Sequence, residues 1–514
     1  MRSSTVRDIS RGGFYLGLEQ VTNAIGSLLY AMIVLRMLGP ATFGILNMGQ
    51  AAIGLVGVFT TNIEVYLERF VAEFDARGLG GVLRPLVRKI LTAKALLGVV
   101  AGILVILLAD WVATAYGQRD LRRLLPALAP MIVLEGAYVI LRFTLFGLQR
   151  YRSIWGIALG NNVLKLVVVF ILWRLNEGVV ALVAGIVLVQ IITVAALGVL
   201  ALRFLPGESA VAADVPSYRR IWSYVHPLYG ARIFYLSGVR LNILILGALL
   251  SARDLGLASF ALMTMERLIS SARVVSDALL PSLSRLRGEG KDRSIEQVVN
   301  QGYRVVAALS VLLMAATFCL AREITTITGG LDYLAAILPL QILSVVPLFR
   351  TIQQPLTMSF YTYEKTRVVF WLAALKFVVE PIGYFFLISP FGISGVALAN
   401  LISSVVVFGP SLRVADRLFP TTQAVRLHGA LKAWTIGAGI LLAGLMLQRL
   451  PESWPGFAIR IALLIVASVA VILSRMIGGA DFRRLAEAVR RPQAAGALQR
   501  VAIWIDWLQG RAPA

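Results

Sequence analysis

Fourteen long apolar stretches leave this chain one class of fold. They cover residues 13–38, 44–68, 85–108, 125–147, 154–173, 179–202, 221–249, 255–282, 298–321, 333–360, 367–389, 393–412, 428–448 and 457–477. Crossing about 30 Å of hydrocarbon at 1.5 Å per residue takes about 20 residues. Most of the stretches are too long and too continuous for core helices of a water-soluble domain. Hydrophobic residues make up 58% of the chain and charged residues 15%, against about 25% charged in soluble chains. That balance excludes a soluble enzyme, a disordered chain and a disulfide scaffold. The alternating ten-residue segments of a barrel are absent. The predicted fold is all-α and integral to a membrane, with about 14 transmembrane helices.

The net charge of +22 tests this count. With fourteen spans both termini share one side. Assigning that side to the cytoplasm places 30 of the 49 Lys and Arg in cytoplasmic segments, 8 in opposite loops and 11 within spans. The asymmetry fits the positive-inside rule, so no nucleic-acid partner is needed to explain the charge. Arg2, Arg7 and Arg11 precede an apolar run too long for a signal peptide, which predicts an uncleaved first helix.

The chain also matches itself at an offset of 212–214 residues. Leu38-Gly39-Pro40-Ala41-Thr42-Phe43-Gly44 corresponds to Leu250-Ser251-Ala252-Arg253-Asp254-Leu255-Gly256. Gly178-Val179-Val180-Ala181-Leu182 corresponds to Gly392-Ile393-Ser394-Gly395-Val396, and Gln149-Arg150-Tyr151 to Tyr363-Glu364-Lys365. A parallel internal repeat of two six-helix bundles follows, a known transporter plan. The expected division is a bundle over 1–205, a cytoplasmic linker over 206–220, a second bundle over 221–414, helices 13 and 14 over 415–477, and an amphipathic cytoplasmic tail over 478–514. In the tail, Leu498, Val501, Ile505 and Leu508 form an apolar face that suits an anionic phospholipid surface. The Gly39-Pro40 pair is expected to end the first helix.

The repeat, the two extra helices and the segment Arg36-Met37-Leu38-Gly39-Pro40-Ala41-Thr42-Phe43-Gly44 resemble the polysaccharide-transporter family of the multidrug/oligosaccharidyl-lipid/polysaccharide (MOP) flippases. That family includes the Wzx-type O-antigen flippases, and its relatives include the lipid II flippases. Its usual motif has an acidic residue where this chain has Ala41 and an aromatic one at Leu46. The resemblance implies translocation of polyprenyl-pyrophosphate-linked oligosaccharide across a bacterial inner membrane, through a central cavity opened to alternate sides. It implies lipid-linked oligosaccharide as ligand, with a polysaccharide polymerase and glycosyltransferases as candidate partners.

Charges within spans are the candidate site, because each costs about 2.5–3.5 kcal/mol at mid-bilayer without a partner or water. Deep positions favour cations: Arg142, Lys165, Arg232, Arg240, Arg273, Arg350 and Lys376. A basic lining suits a pyrophosphate or acidic sugar, and Arg adds a bidentate fork. Gln353 and Gln354, beside Pro355, are candidates for sugar hydroxyls. Glu135, Glu266, Asp277 and Glu380 are the carboxylates that could couple transport to an ion or simply pair with the cations. Glu135, Tyr138 and Arg142 share a face of span four, and Lys376 and Glu380 stand one turn apart. Lys94, Arg304 and Arg460 are expected to snorkel from span ends. His226, before Pro227, is expected to pack or to sit at an interface.

Two histidines and the single Cys319 leave no histidine- or cysteine-rich metal site, and no cofactor is expected. There is no P-loop, nucleotide fingerprint or HExxH motif, so a secondary-type transporter is expected rather than an enzyme. The alternative is a cation-coupled multidrug antiporter of the same fold, which would want an acidic cavity.

Overall fold

A computed structural model of the chain describes residues 2–58, 67, 70–71, 74, 80–205, 237–277, 279–420, 423–447, 454–474, 476, 499–500, 502–503, 505–506 and 509. Among them there is no β-strand. Arg232 and His226, the 206–220 linker and most of the tail lie outside the described residues.

The helices are α1 (Arg2–Val58), α2 (Gly80–Ala115), α3 (Leu121–Leu128), α4 (Pro130–Gly147), α5 (Tyr151–Arg174) and α6 (Val179–Phe204). Then come α7 (Ser237–Leu249), α8 (Ala252–Asp277), α9 (Leu279–Gly288), α10 (Asp292–Cys319) and α11 (Ala321–Thr328). A 3-10 turn over Leu331–Ala336 leads to α12 (Ile337–Leu343), α13 (Pro347–Thr362), α14 (Thr366–Phe391), α15 (Ile393–Leu418), α16 (Gln423–Leu447) and α17 (Trp454–Leu473). The chain is thus an all-α, multi-pass membrane protein. Ten helices among the described residues are long and apolar enough to cross a membrane, or eleven with the pair Leu331–Leu343 and Pro347–Thr362, bent by 53°.

Each of the fourteen predicted stretches meets a helix. The smaller count has physical sources. α1 contains two predicted spans, broken at Gly39, whose φ of 66° is left-handed. Pro40 disfavours helical backbone before it, and glycine takes the positive φ at no steric cost. α7 is described only as a short apolar helix. α8 carries Glu266, Arg267, Arg273 and Asp277 and falls short in apolarity.

The chain divides into two compact units, Met1–Leu257 with Ile327–Asp332, and Ala258–Thr326 with Tyr333–Ala514. In the first unit the membrane inverts the usual pattern. Leu96, Val100, Ile103 and Leu107 of α2 are exposed, while the smaller Ala101, Val105 and Ala109 are buried. Lipid tails are as apolar as leucine, so packing between helices favours small side chains that let backbones approach. The closest approach joins the two motifs related by the repeat. A Cβ on Gly256 would stand 1.8 Å from the Pro40 carbonyl oxygen, and one on Gly44 would stand 2.2 Å from that of Ala252.

The second unit packs α16 directly on α10. Gly437 faces Met314 and Gly444 faces Phe318, and the Trp434 indole donates to the Leu348 carbonyl at 3.3 Å. Arg426 is fully buried at the base of α16. It donates to Asp416 Oδ1 at 2.7 Å and to the Phe419 carbonyl at 2.6 Å. Nothing in its sequence position, among loop cations, marks it as a core residue. Arg460, predicted to snorkel, instead pairs with Glu323 at 2.9 Å. In the tail, Ala502 and Ile505 are buried, and Gln509 donates to the Ile472 carbonyl at 2.8 Å.

Outside the spans, the Tyr363 hydroxyl donates to Asp292 at 2.8 Å. Burial and that carboxylate push the phenol up to about 12. The Glu289 carboxyl, exposed, is held below its usual range by hydrogen bonds from Lys291 and Arg285.

Candidate functional site

In the first unit, three polar residues at helical spacing on α1 meet α4 and α5. Glu19 is buried and receives Arg142 Nη2 at 2.9 and 3.1 Å and Nε at 3.1 Å. Thr22 accepts from the Trp155 indole at 3.2 Å. Asn23 accepts from Asn162 Nδ2 at 2.8 Å. Asn162 reaches it across Gly26, where a Cβ would stand 2.3 Å from the Asn162 side-chain oxygen. Arg142 is therefore committed to Glu19, not to Glu135 on its own helix. A separation of seven residues puts Glu135 and Arg142 about 10 Å apart along the axis, too far for a direct pair.

Glu135 turns instead into a cavity of about 410 Å³ within this unit. Among the described residues its polar lining comprises Gln50, Lys94, Glu135 and Arg240, set among apolar groups from α1, α3, α4 and α6. Two glycines admit the cations. Gly54 lies under Arg240, whose Nε would be 2.7 Å from an added Cβ. Gly136 lies under Lys94, whose Cε would be 3.2 Å away. The Glu135 carboxylate also acts electrostatically on Lys165, which is half-buried. The volume falls in the ordinary range for small-ligand sites, with a few polar groups converging on an apolar wall.

Lys94 corrects the snorkelling expectation. It is only 4% exposed. α2 begins at Gly80 rather than Pro85, so Lys94 lies about 21 Å along the helix at 1.5 Å per residue, where its stem is packed against Gly136 of α4. The Gly80-Gly81 pair ahead of Pro85 is the signal that could have placed it mid-helix.

In the second unit, Arg350 bonds both carboxylate oxygens of Glu266, the longer contact at 3.2 Å. Lys376 and Arg273 also act on Glu266 electrostatically. Lys376 stands 3.7 Å from Glu380. Glu380 is buried and accepts from the Tyr384 hydroxyl at 2.8 Å and from Asn400 Nδ2 at 2.6 Å. Arg273 and Asp277 are exposed. Gln353 and Gln354 are half-buried, and the Gln354 side-chain oxygen is buried with no hydrogen-bond partner. Among the described residues no group of His, Cys, Asp or Glu could hold a metal ion.

The three-donor setting of Glu380 makes a prediction. Tyr384→Phe is expected to lower stability by about 1.5–3 kcal/mol, the worth of a hydrogen bond to a charged group. Thermal unfolding of the purified variant measures it, and an unchanged midpoint would show that the hydroxyl does not support the carboxylate.

Comparisons with known proteins agree with this architecture. The family model described as Polysaccharide biosynthesis protein matches residues 33–338. The model for Lipid II flippase MurJ matches residues 268–468. Among solved structures, the lipid II flippase MurJ in an inward closed conformation aligns with a TM-score of 0.68 at 13% identity, covering 88% of this chain and 97% of that one. An inward-facing multidrug resistance MATE family transporter of the MOP superfamily aligns with a TM-score of 0.64 at 12% identity, covering 80% and 99%. The MATE multidrug transporter DinF-BH aligns with a TM-score of 0.56 at 15% identity, covering 80% and 96%. At these identities the likeness is one of fold. No curated protein sequence matches the chain.

Proposed function

The chain belongs to the polysaccharide biosynthesis protein family, and from that premise we propose that it is a flippase for lipid-linked oligosaccharide. The substrate is a polyprenyl-pyrophosphate-linked glycan, moved across a bacterial inner membrane for O-antigen, capsule or exopolysaccharide synthesis. No covalent bond is made or broken, so the protein is a secondary-type transporter that works by alternating access. Both termini lie in the cytoplasm, on the side that carries 30 of the Lys and Arg residues. The tail rests on anionic phospholipid there.

One observation carries the reading. Within the first unit and among the described residues, Lys94 and Arg240 face one cavity together with the carboxylate of Glu135 and the amide of Gln50. Among the described residues of the lining, two cations thus accompany one carboxylate. The guanidinium fork matches phosphate oxygens in pairs, and the ammonium adds a point charge. The apolar wall lowers the local dielectric and strengthens both interactions. The polyprenyl tail stays in lipid, where it costs nothing to keep. A cation antiporter would need the opposite sign at this place.

The test is a reconstituted flipping assay, in which an impermeant enzyme attacks glycan exposed on liposomes. Lys94→Gln with Arg240→Gln is expected to lower protein-dependent flipping about 100-fold or more, since each hydrogen bond to a charged group is worth about 1.5–3 kcal/mol. Undiminished flipping by a folded double variant would overturn the reading. Export of a cationic dye against a proton or sodium gradient, with no flipping, would put the antiporter in its place.

A further inference from the structure

We propose that Gln20, Asn23 and Ser27 of α1, with Asn162 of α5, form an uncharged binding face for the sugar hydroxyls of the transported lipid. The inference rests on the flippase reading above and adds how the glycan is held. The first half of α1 has three faces. Phe14, Val21, Ile25 and Leu28 are exposed and wholly apolar, as suits a face turned to lipid tails. Glu19, Thr22 and Gly26 pack on α4 and α5. Gln20, Asn23 and Ser27 stand at i, i+3 and i+7, so they share the third face, and all three are exposed.

Depth excludes lipid for that third face. The candidate span begins at Gly13, so Gln20 to Ser27 lie about 10 to 21 Å into a hydrocarbon layer of about 30 Å. Unpaired amides are costly in hydrocarbon, so at that depth they face water. Gln20 makes no hydrogen bond with a described residue, and Asn23 uses only its oxygen, toward Asn162 at 2.8 Å. Asn162 is fixed in turn by donating to the Ala158 carbonyl at 2.8 Å. Ser27 donates back to the Ala24 carbonyl at 3.0 Å, which leaves its oxygen able to accept.

Charge selects the ligand. Glu19, the one carboxylate in this stretch of α1, is bonded to Arg142, and no Lys or Arg lies between Arg11 and Arg36. On α5, Lys165 stands one turn beyond Asn162, and Glu135 acts on it electrostatically. An uncharged face has little hold on a diphosphate. Amides both donate and accept, as sugar hydroxyls do, so the two match in pairs. None of the four residues lines the cavity that holds Lys94 and Arg240. The glycan and the diphosphate are thus read at different places.

The probes are two lipids and one free sugar, used with the full-length protein. One lipid is the lipid-linked oligosaccharide of the producing cells, and the other is bare undecaprenyl diphosphate, followed with an impermeant phosphatase. The free sugar is the oligosaccharide that mild acid releases from the first lipid. Gln20→Ala with Ser27→Ala is expected to raise its dissociation constant about tenfold, the worth of two neutral hydrogen bonds. Saturation-transfer NMR in nanodiscs reads it. The KM for flipping the glycan-bearing lipid should rise by the same factor with kcat unchanged, while the bare lipid moves as before. Neither side chain bonds another helix among the described residues, so the melting temperature should hold. Gln20→Ala alone, at about threefold, serves if the pair does not fold. Ile25→Ala, on the lipid face, should leave sugar binding unchanged.

Unchanged oligosaccharide binding in the folded variants, or none in the parent, overturns the sugar face. Flipping of the glycan-bearing lipid by the parent then leaves the flippase reading standing. Equal loss for both lipids also overturns it, since the face would then serve the transport cycle and not the sugar. A parent that moves neither lipid, yet binds the free oligosaccharide tenfold more tightly than the variant, overturns the flippase and keeps the sugar site.

Discussion

Gly256→Ala is expected to destabilise the first unit by at least about 3 kcal/mol, the upper end of ordinary overpacking costs. The added Cβ would stand 1.8 Å from the Pro40 oxygen, 2.6 Å from its carbonyl carbon and 3.1 Å from its Cα. All three are backbone atoms, so no side-chain rotamer can relieve the contact. Either the break at Gly39-Pro40 moves or α8 does. Gly44→Ala makes the reciprocal collision, 2.2 Å from the Ala252 oxygen and 2.8 Å from the Gly256 nitrogen. Pro40 and Ala252 are 212 residues apart, as are Gly44 and Gly256, which is an offset at which the sequence matches itself. Each motif thus presents its fourth following residue to the first residue of the other, as a local two-fold relation requires. Gly17→Ala is the control. Nothing lies within 4 Å of its Cβ position, and alanine in an exposed helix gains about 0.5–1 kcal/mol over glycine. Thermal unfolding in detergent should separate the two variants in opposite directions from the parent. Equal midpoints would show that the close approach does not exist in solution.

That contact marks the limit of what the residues disclose on their own. Apolar length and Gly-Pro punctuation make the helices legible, because both act locally. The break at Gly39 follows from φ preferences alone. Which charged residues fall within apolar stretches was legible too, since it needs only their position in the sequence. Partnership was not. Arg142 has Glu135 on its own helix, yet it bonds Glu19, 123 residues away. Arg460 finds Glu323, and Arg426 finds Asp416 and the Phe419 carbonyl. Such choices depend on which helix faces are brought together, and that is a property of packing rather than of spacing. Lys94 shows the same for depth. Its burial against Gly136 of α4 depends on a neighbouring helix that its own sequence position does not disclose. Arg232 falls outside the described residues, so its expected place in a lining stays with the sequence.

Glu19→Leu is expected to cost about 3–5 kcal/mol, the usual result of breaking a buried pair from one side. It strands the Arg142 guanidinium, which was satisfied through Nε and Nη2. Arginine cannot escape by deprotonation in a protein, so the charge must find water or drag its helix toward the interface. Arg142→Met strands Glu19 instead, and a carboxylate can neutralise itself by taking up a proton. The arginine variant should therefore lose less than the glutamate variant. Removing both partners should recover most of the loss, because replacing a buried pair by apolar groups is often neutral or stabilising. Melting temperatures of the two single variants and the double variant, read as a cycle, give the coupling directly. A double variant no more stable than Glu19→Leu would mean that Arg142 does not depend on Glu19. The arginine would then be available to substrate, and the division between a structural seam on α1 and a ligand cavity lined by Lys94 and Arg240 would fall. Recovery in the double variant with flipping retained would instead place Arg142 in the scaffold and leave anion recognition to the cavity.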